Sequence, residues 1–233
     1  MATGYGDGNE QDYSQVVDMR STESCSNLDS YPLKLSAATG GLVNGDPLIC
    51  GGRIGSSFVF YIQSSCYKYE RSLNEWTLIA NMNNKRVFHS SALTTKGIFI
   101  TGGNNENNDR LDSTEYVSTD GVVTDGPKLP AARSHHCMVT LHDGKVMVIG
   151  GYPSSNLESM IIFDPEDNTF DDGPDLNYNR DNAGCTIFRS TKHKNRNVVL
   201  AAGGWRQSTA EILDYTNPNA NAWEESKHIY QLL

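Results

Sequence analysis

The residues with the most chemical capacity in this chain are arginines, glycine pairs, a His-His-Cys run and five cysteines. Arg53, Arg86, Arg110, Arg133, Arg180 and Arg206 are six of the ten arginines, in a chain of formal net charge −9. A guanidinium fork suits two-point capture of a carboxylate or phosphate, and arginine is enriched at interaction hot spots. Arg86, Arg133 and Arg180 are evenly spaced, 47 residues from one to the next. Glycine pairs close four apolar runs, "PLICGG", "GIFITGG", "VMVIGG" and "VVLAAGG". A phosphate-binding loop would need a following Lys-Ser/Thr and a helix pattern, and no pair is followed by either.

"SHHC", residues 134–137, offers imidazole and thiol side by side. On a strand, neighbouring side chains point to opposite faces, so His135 and His136 do not converge on one ion. The expectation is histidines at a rim or edge, without metal. Cys25, Cys50, Cys66, Cys137 and Cys185 form no C-x-x-C and no zinc-type spacing with histidine. The plain reading of Cys50, Cys137 and Cys185, which fall in strands, is small buried apolar residues, whereas Cys25 and Cys66 fall in or near polar outer segments. Cys137 and Cys185 fall at nearly equivalent places in successive repeats, where they could meet. Cys25 and Cys66 could bridge in an oxidising compartment, and the odd count leaves one thiol over.

These residues need elements to position them, and the spacing supplies the plan. The pairs ending at Gly52, Gly103, Gly151 and Gly204 recur with a period of about fifty residues, the mark of a repeat architecture. After each pair comes a polar loop and a second strand, "SSCYKY", "DSTEYV", "ESMIIF" or "TAEILDY". Three of these strands are followed at near-constant distance by an aromatic: Tyr69 to Trp76, Phe163 to Phe170, Tyr215 to Trp223. The third unit reads as four strands, a "CMVTL", b "KVMVIGG", c "ESMIIFD" and d "TFDDGP", with "HDG" and "PEDN" as turns. The glycines allow close backbone approach, and the aromatics are placed to wedge between sheets.

The glycine pair, the Tyr/Phe before a Trp/Phe and the "LP/DL…R" connector resemble kelch repeats, over nearly the whole chain. The resemblance implies an all-β fold, a kelch-type β-propeller of four-stranded antiparallel blades, and most such domains are interaction modules. Four full blades are expected with partial terminal ones. The units are 1–34 (a partial blade), 35–85, 86–133, 134–180, 181–223, and 224–233 (an irregular remnant of a further blade). The second unit lacks the aromatic wedge, with Val122 and Val123 near that place. At the C-terminal end "DYTNPNANAWEE" is followed by "SKHIYQLL" without a connector, which predicts an incomplete ring with residues 224–233 poorly integrated.

An enzyme is the rival class, as the propeller part or remnant of a carbohydrate-acting or oxidase-type protein. Sialidase-like propellers carry repeated Asp-box turns, of which "STDGVVTDG" is a lone fragment. Kelch-containing copper oxidases draw their Tyr, His and thioether ligands from domains without counterpart here. No nucleophile–base–orienter set can be assembled, so no catalytic residue, metal or cofactor is expected.

A binding surface is legible instead. In a four-stranded blade the d–a connectors (81–87, 128–135, 175–182) and the b–c loops (53–64, 104–111, 152–158, 205–209) share one rim. That rule gathers all six arginines, with Tyr152 and Trp205 as aromatic anchors and Phe88, His89 and His135 nearby. Arg53, Arg110 and Arg206 are expected exposed, and Arg86, Arg133 and Arg180 partly committed to contacts between blades. The expected function is a non-catalytic interaction scaffold for an acidic or polar peptide or protein. The net charge of −9 argues against general nucleic-acid binding. No apolar run is long enough to span a membrane. "MATGYGDGNEQDY" lacks a signal peptide's basic and apolar regions, which leaves both cytoplasmic and extracellular locations open.

Overall fold

The computed structural model describes residues 5–6, 9–10, 29–55, 59–153, 158–217 and 222–226. Tyr5–Gly6 (β1) and Asn9–Glu10 (β2) pair with each other. The body is four antiparallel sheets of four strands each. The first is Thr39–Val43 (β3), Asp46–Cys50 (β4), Ser65–Glu70 (β7) and Glu75–Asn81 (β8). Between β4 and β7 the chain adds a hairpin, Arg53–Gly55 (β5) against Phe60–Ile62 (β6), where the sequence suggests a plain loop. The second sheet is Ser90–Thr94 (β9), Gly97–Thr101 (β10), Thr114–Val117 (β11) and Val123–Asp125 (β12). The third is Cys137–Thr140 (β13), Val146–Ile149 (β14), Met160–Asp164 (β15) and Thr169–Asp172 (β16). The fourth is Gly184–Ser190 (β17), Arg196–Ala202 (β18), Ala210–Leu213 (β19) and Glu224–Ser226 (β20).

The a-b-c-d order expected from the repeats therefore holds in every sheet. Strands β10 and β14 are buried along their whole length because sheets pack on both of their faces, and β19 is buried along its whole length as well. Ile98, Ile100 and Val117 of the second sheet pack with Val43, Leu48 and Met82 of the first. Phe99 and Tyr116 meet Val146, Val148 and Phe163 of the third, with Phe99 stacked on Phe163 at 4.3 Å. Met147, Ile149 and Met160 join Val199, Ala201 and Leu213 of the fourth. Innermost strands also bond directly, Ser91 Oγ donating to the Gly40 carbonyl at 3.2 Å and Thr140 Oγ1 to the Leu93 carbonyl at 2.7 Å.

The aromatic wedges sit where the repeats place them. Trp223 lies 4 % exposed within the packing of the third and fourth sheets, and its Nε1 donates to the Pro174 carbonyl at 2.9 Å. Trp76 packs edge-on against Tyr31 and Tyr69 and donates to the Asp29 carbonyl at 3.1 Å. The second sheet has no such ring, and Val123 only partly fills the place while Val122 is exposed.

The structure corrects two expectations and bears out a third. Cys66 is bonded to Cys50 on the neighbouring strand, Cα atoms 4.1 Å apart, so it is not the partner of Cys25, which lies outside the described residues. The fourth sheet runs past the boundary at residue 223, since Glu224–Ser226 is its outer strand, paired along β19. Cys137 and Cys185 do meet, in a bond joining β13 to β17. The remainder of the 224–233 segment, and most of the 1–34 unit, lie outside the described residues. From that unit Tyr31 is buried, and with Leu35 of the next it packs against Ile49, Tyr69 and Trp76 of the first sheet.

Candidate interaction rim

Each glycine pair ends a b strand, and both its residues have positive φ, 61° and 88° at Gly102 and Gly103. A Cβ on Gly102 would lie 2.3 Å from the Arg133 carbonyl oxygen, and one on Gly150 would lie 2.4 Å from that of Arg180. No side chain fits in that gap. The pair's second N–H donates to the same carbonyl: Gly52 to Arg86, Gly103 to Arg133 and Gly151 to Arg180, each at 2.8 Å. The three evenly spaced arginines thus open each sheet by docking their backbone on the glycine pair of the sheet before.

Their guanidinium groups turn inward. Arg86, Arg133 and Arg180 are 0 %, 1 % and 1 % exposed. Arg86 Nη1 donates to the Gly102 and Ser113 carbonyls, and its Nε and Nη2 bond Glu115 Oε1 at 3.1 and 2.7 Å. Arg180 repeats the pattern with Gly203, Thr209 and Glu211, its Nε lying 2.8 Å from Glu211 Oε1. Both carboxylates are completely buried with their arginines. Burial lowers the Arg86 pKa, opposed by hydrogen bonding and attraction from Glu115. All three arginines are joints between sheets and lie beneath the rim surface; Arg86 and Arg180 spend their donors inside the fold, and Arg133 makes fewer and longer contacts.

The other three rim arginines lie against aromatic rings. The Arg53 guanidinium carbon is 5.1 Å from the Phe60 ring centre and 5.4 Å from that of Phe88, and its Nε donates to Ser36 Oγ at 3.3 Å. Arg110 lies 5.0 Å from the Tyr152 ring, and Arg206 6.0 Å from that of Trp205. Arg110 and Arg206 are exposed and Arg53 half-buried. Trp205 is 67 % exposed, Tyr61 63 %, Phe60 46 % and Tyr152 44 %. Connectors and b–c loops do adjoin: backbone bridges pair Ser36 with Arg53, Val87 with Asn104 and Ser134 with Tyr152, and the Trp205 N–H donates to the Asp181 carbonyl.

Sequence reasoning missed Phe60 and Tyr61 as rim aromatics. Their signal is "FVFYI", an apolar run inside a segment read as a polar loop. It also missed Glu115 and Glu211, each about thirty residues after its arginine, the only acids in otherwise apolar or aromatic c strands at that register.

Above the joints, the connectors line a cavity of about 340 Å³. Ala37, Phe88, His135 and Asn182 occupy equivalent places there, all with φ between 53° and 58°. Each N–H donates to the carbonyl of the one before, Phe88 to Ala37, His135 to Phe88 and Asn182 to His135. The Phe88 and His135 rings stack at 4.2 Å. His89 and His136 point the other way, into the packing. His89 Nε2 donates to the Cys50 carbonyl at 3.1 Å, and His136 Nε2 is 2.7 Å from Thr101 Oγ1. Burial, reinforced by the Arg86 charge, pulls the His89 pKa down to about 3. Burial and nearby positive charges, Arg133 first, hold His136 well below its ordinary value. Both are neutral imidazoles of the core.

Residues 133–177 match the model of the kelch motif. That span runs from Arg133 through all of the third sheet to the connector beyond it. A kelch motif implies a kelch-repeat propeller, and the four successive four-stranded sheets are consistent with one.

Proposed function

We propose that this chain is a protein-interaction module whose rim of b–c loops grips a peptide or protein partner carrying acidic side chains. One observation carries the reading: three separate loops each set an arginine over an aromatic ring, Arg53 on Phe60, Arg110 on Tyr152 and Arg206 on Trp205. A ring face fixes the plane of a guanidinium, so the exposed Arg110 and Arg206 can offer their forks to carboxylate oxygens. Arg53, which already donates to Ser36 Oγ, adds positive charge beside its rings. The large exposed rings add apolar contact at small cost in side-chain entropy. The six-arginine surface expected from the sequence is thereby reduced to three, since the buried joint arginines offer no donors at the rim. A pull-down from a source lysate, followed by calorimetry on the captured partner, tests this. The Arg53→Ala, Arg110→Ala and Arg206→Ala triple variant should lose capture while unfolding as the unsubstituted protein does. Capture at unchanged affinity would move the site to the opposite face of a–b and c–d turns.

A further inference from the structure

The three arginine joints are built alike except in the middle one. At the first, Glu115 receives Arg86 together with the backbone N–H groups of Asn83, at 2.6 Å, and Asn84, at 3.1 Å. At the last, Glu211 receives Arg180 and the N–H of Asn177, again at 2.6 Å. In the third sheet the same register position is Ile161, which faces Val148 as Glu115 faces Ile100 and Glu211 faces Ala201. The connector changes with it. Three residues before its arginine it carries Pro130, which has no N–H to give.

Arg133 is left under-satisfied. Its Nη1 reaches the Gly150 carbonyl at 3.3 Å and its Nη2 reaches Ser159 Oγ at 3.2 Å, both longer than at the sister joints. Its Nε has no partner, although the residue is 1 % exposed. Beside it is a cavity of about 370 Å³, walled by Pro130, Ile161 and Arg133, with Glu158, Asp172 and Asp175 also lining it. The three acids are solvent-exposed. That volume is within the range of small-ligand sites, of roughly 300–1,000 Å³.

We propose that this cavity is a binding site for a small zwitterionic amino carboxylate. The ligand's carboxylate answers the Arg133 guanidinium from the cavity side, as Glu115 and Glu211 answer theirs from within at the sister joints. Its ammonium group faces Glu158, Asp172 and Asp175. A bare anion would meet three negative side chains around one guanidinium, and a bare cation would meet the buried guanidinium. Only a ligand with both signs answers both walls. The site is separate from the three exposed arginines of the rim, and the two readings stand or fall apart.

Titration of the whole protein with β-alanine, followed by calorimetry and by ligand-observed NMR, tests this, with formate, methylammonium and inorganic phosphate at matched ionic strength as controls. Saturable binding of β-alanine, with weaker binding of each control, is expected. Asp172→Asn with Asp175→Asn, both exposed, should weaken it about tenfold, the size of one good charge-assisted contact. Ile161→Glu supplies a carboxylate from within and should abolish binding. If that variant fails to fold, the asparagine pair still decides. No saturable binding of β-alanine, binding of formate or phosphate that equals it, or an unchanged affinity in the asparagine pair would each overturn the proposal.

Discussion

The carbonyl of Arg133 accepts the N–H of Gly103 at 2.8 Å, so the residue that opens the third sheet is fastened to the turn that ends an inner strand of the second. Its side chain reaches forward to the Gly150 carbonyl, at the corresponding turn of its own sheet. One residue thereby belongs to two sheets. The same holds for Arg86 and Arg180, and this explains their even spacing better than a ligand would.

The charged joints make a first prediction. Glu115→Leu leaves the Arg86 guanidinium buried without its counter-charge, which should cost ~3–5 kcal/mol. Arg86→Met combined with Glu115→Leu removes both charges and should be far less damaging than Glu115→Leu alone. Urea unfolding of the two single variants and the double variant measures this. Additive losses would contradict the pairing.

Acid should unfold the protein through its core histidines. The pKa of His89, about 3, and that of His136 both lie below the ordinary value. The unfolded chain therefore binds protons that the folded one refuses once pH drops below ~6.5. Stability is undiminished above that pH and falls by ~1.4 kcal/mol per pH unit for each histidine as pH descends towards 3. His89→Gln should flatten the pH dependence of the urea midpoint between pH 6 and pH 4, on the order of half the histidine contribution. A profile of unchanged slope would show that His89 is protonated in the fold.

The Cys137–Cys185 bond ties two neighbouring inner strands across 48 residues of chain. On a chain-entropy estimate, closing such a loop stabilises by ~4 kcal/mol. Oxidised protein should yield this linked peptide pair in a non-reducing digest, and Cys137→Ser with Cys185→Ser should lower the urea midpoint. Equal midpoints under oxidising conditions would show the bond contributes nothing.

Glycine replacement should be graded by how closely the neighbouring sheet packs on each pair. A Cβ on Gly102 meets the Arg133 carbonyl at 2.3 Å, whereas one on Gly203 meets nothing within 4 Å. The backbone is alike at the two positions, with φ 61° at Gly102 and 68° at Gly203. Gly203→Ala should therefore cost only the backbone strain, ~1–2 kcal/mol. Gly102→Ala adds a steric conflict and should cost clearly more, by thermal or urea unfolding. Equal losses would mean that close packing at the joint is unimportant.

Strand order is readable from the sequence because glycine pairs and turns keep phase through four units, and the aromatics through three. Loop position already separates Arg110 from Arg86, but the full burial of Arg86 is not readable, because it depends on Glu115 of the c strand meeting it at 2.7 Å. The pairing of Cys66 is hidden for a similar reason. Proximity between β4 and β7 depends on register, which β5 and β6 obscure by lengthening the intervening loop. Pro130 and Ile161 are ordinary residues in isolation, and their joint departure is visible only when three joints can be superposed.

The backbone bonds linking Ala37, Phe88, His135 and Asn182 run from one main chain to the next without using a side chain. Four identical sockets therefore hold a methyl group, a phenyl ring, an imidazole and an amide around the same opening. Such a frame separates the shape of the opening from its chemistry. New side chains at these four positions could retune what the opening accepts, while the frame that supports them stays as it is.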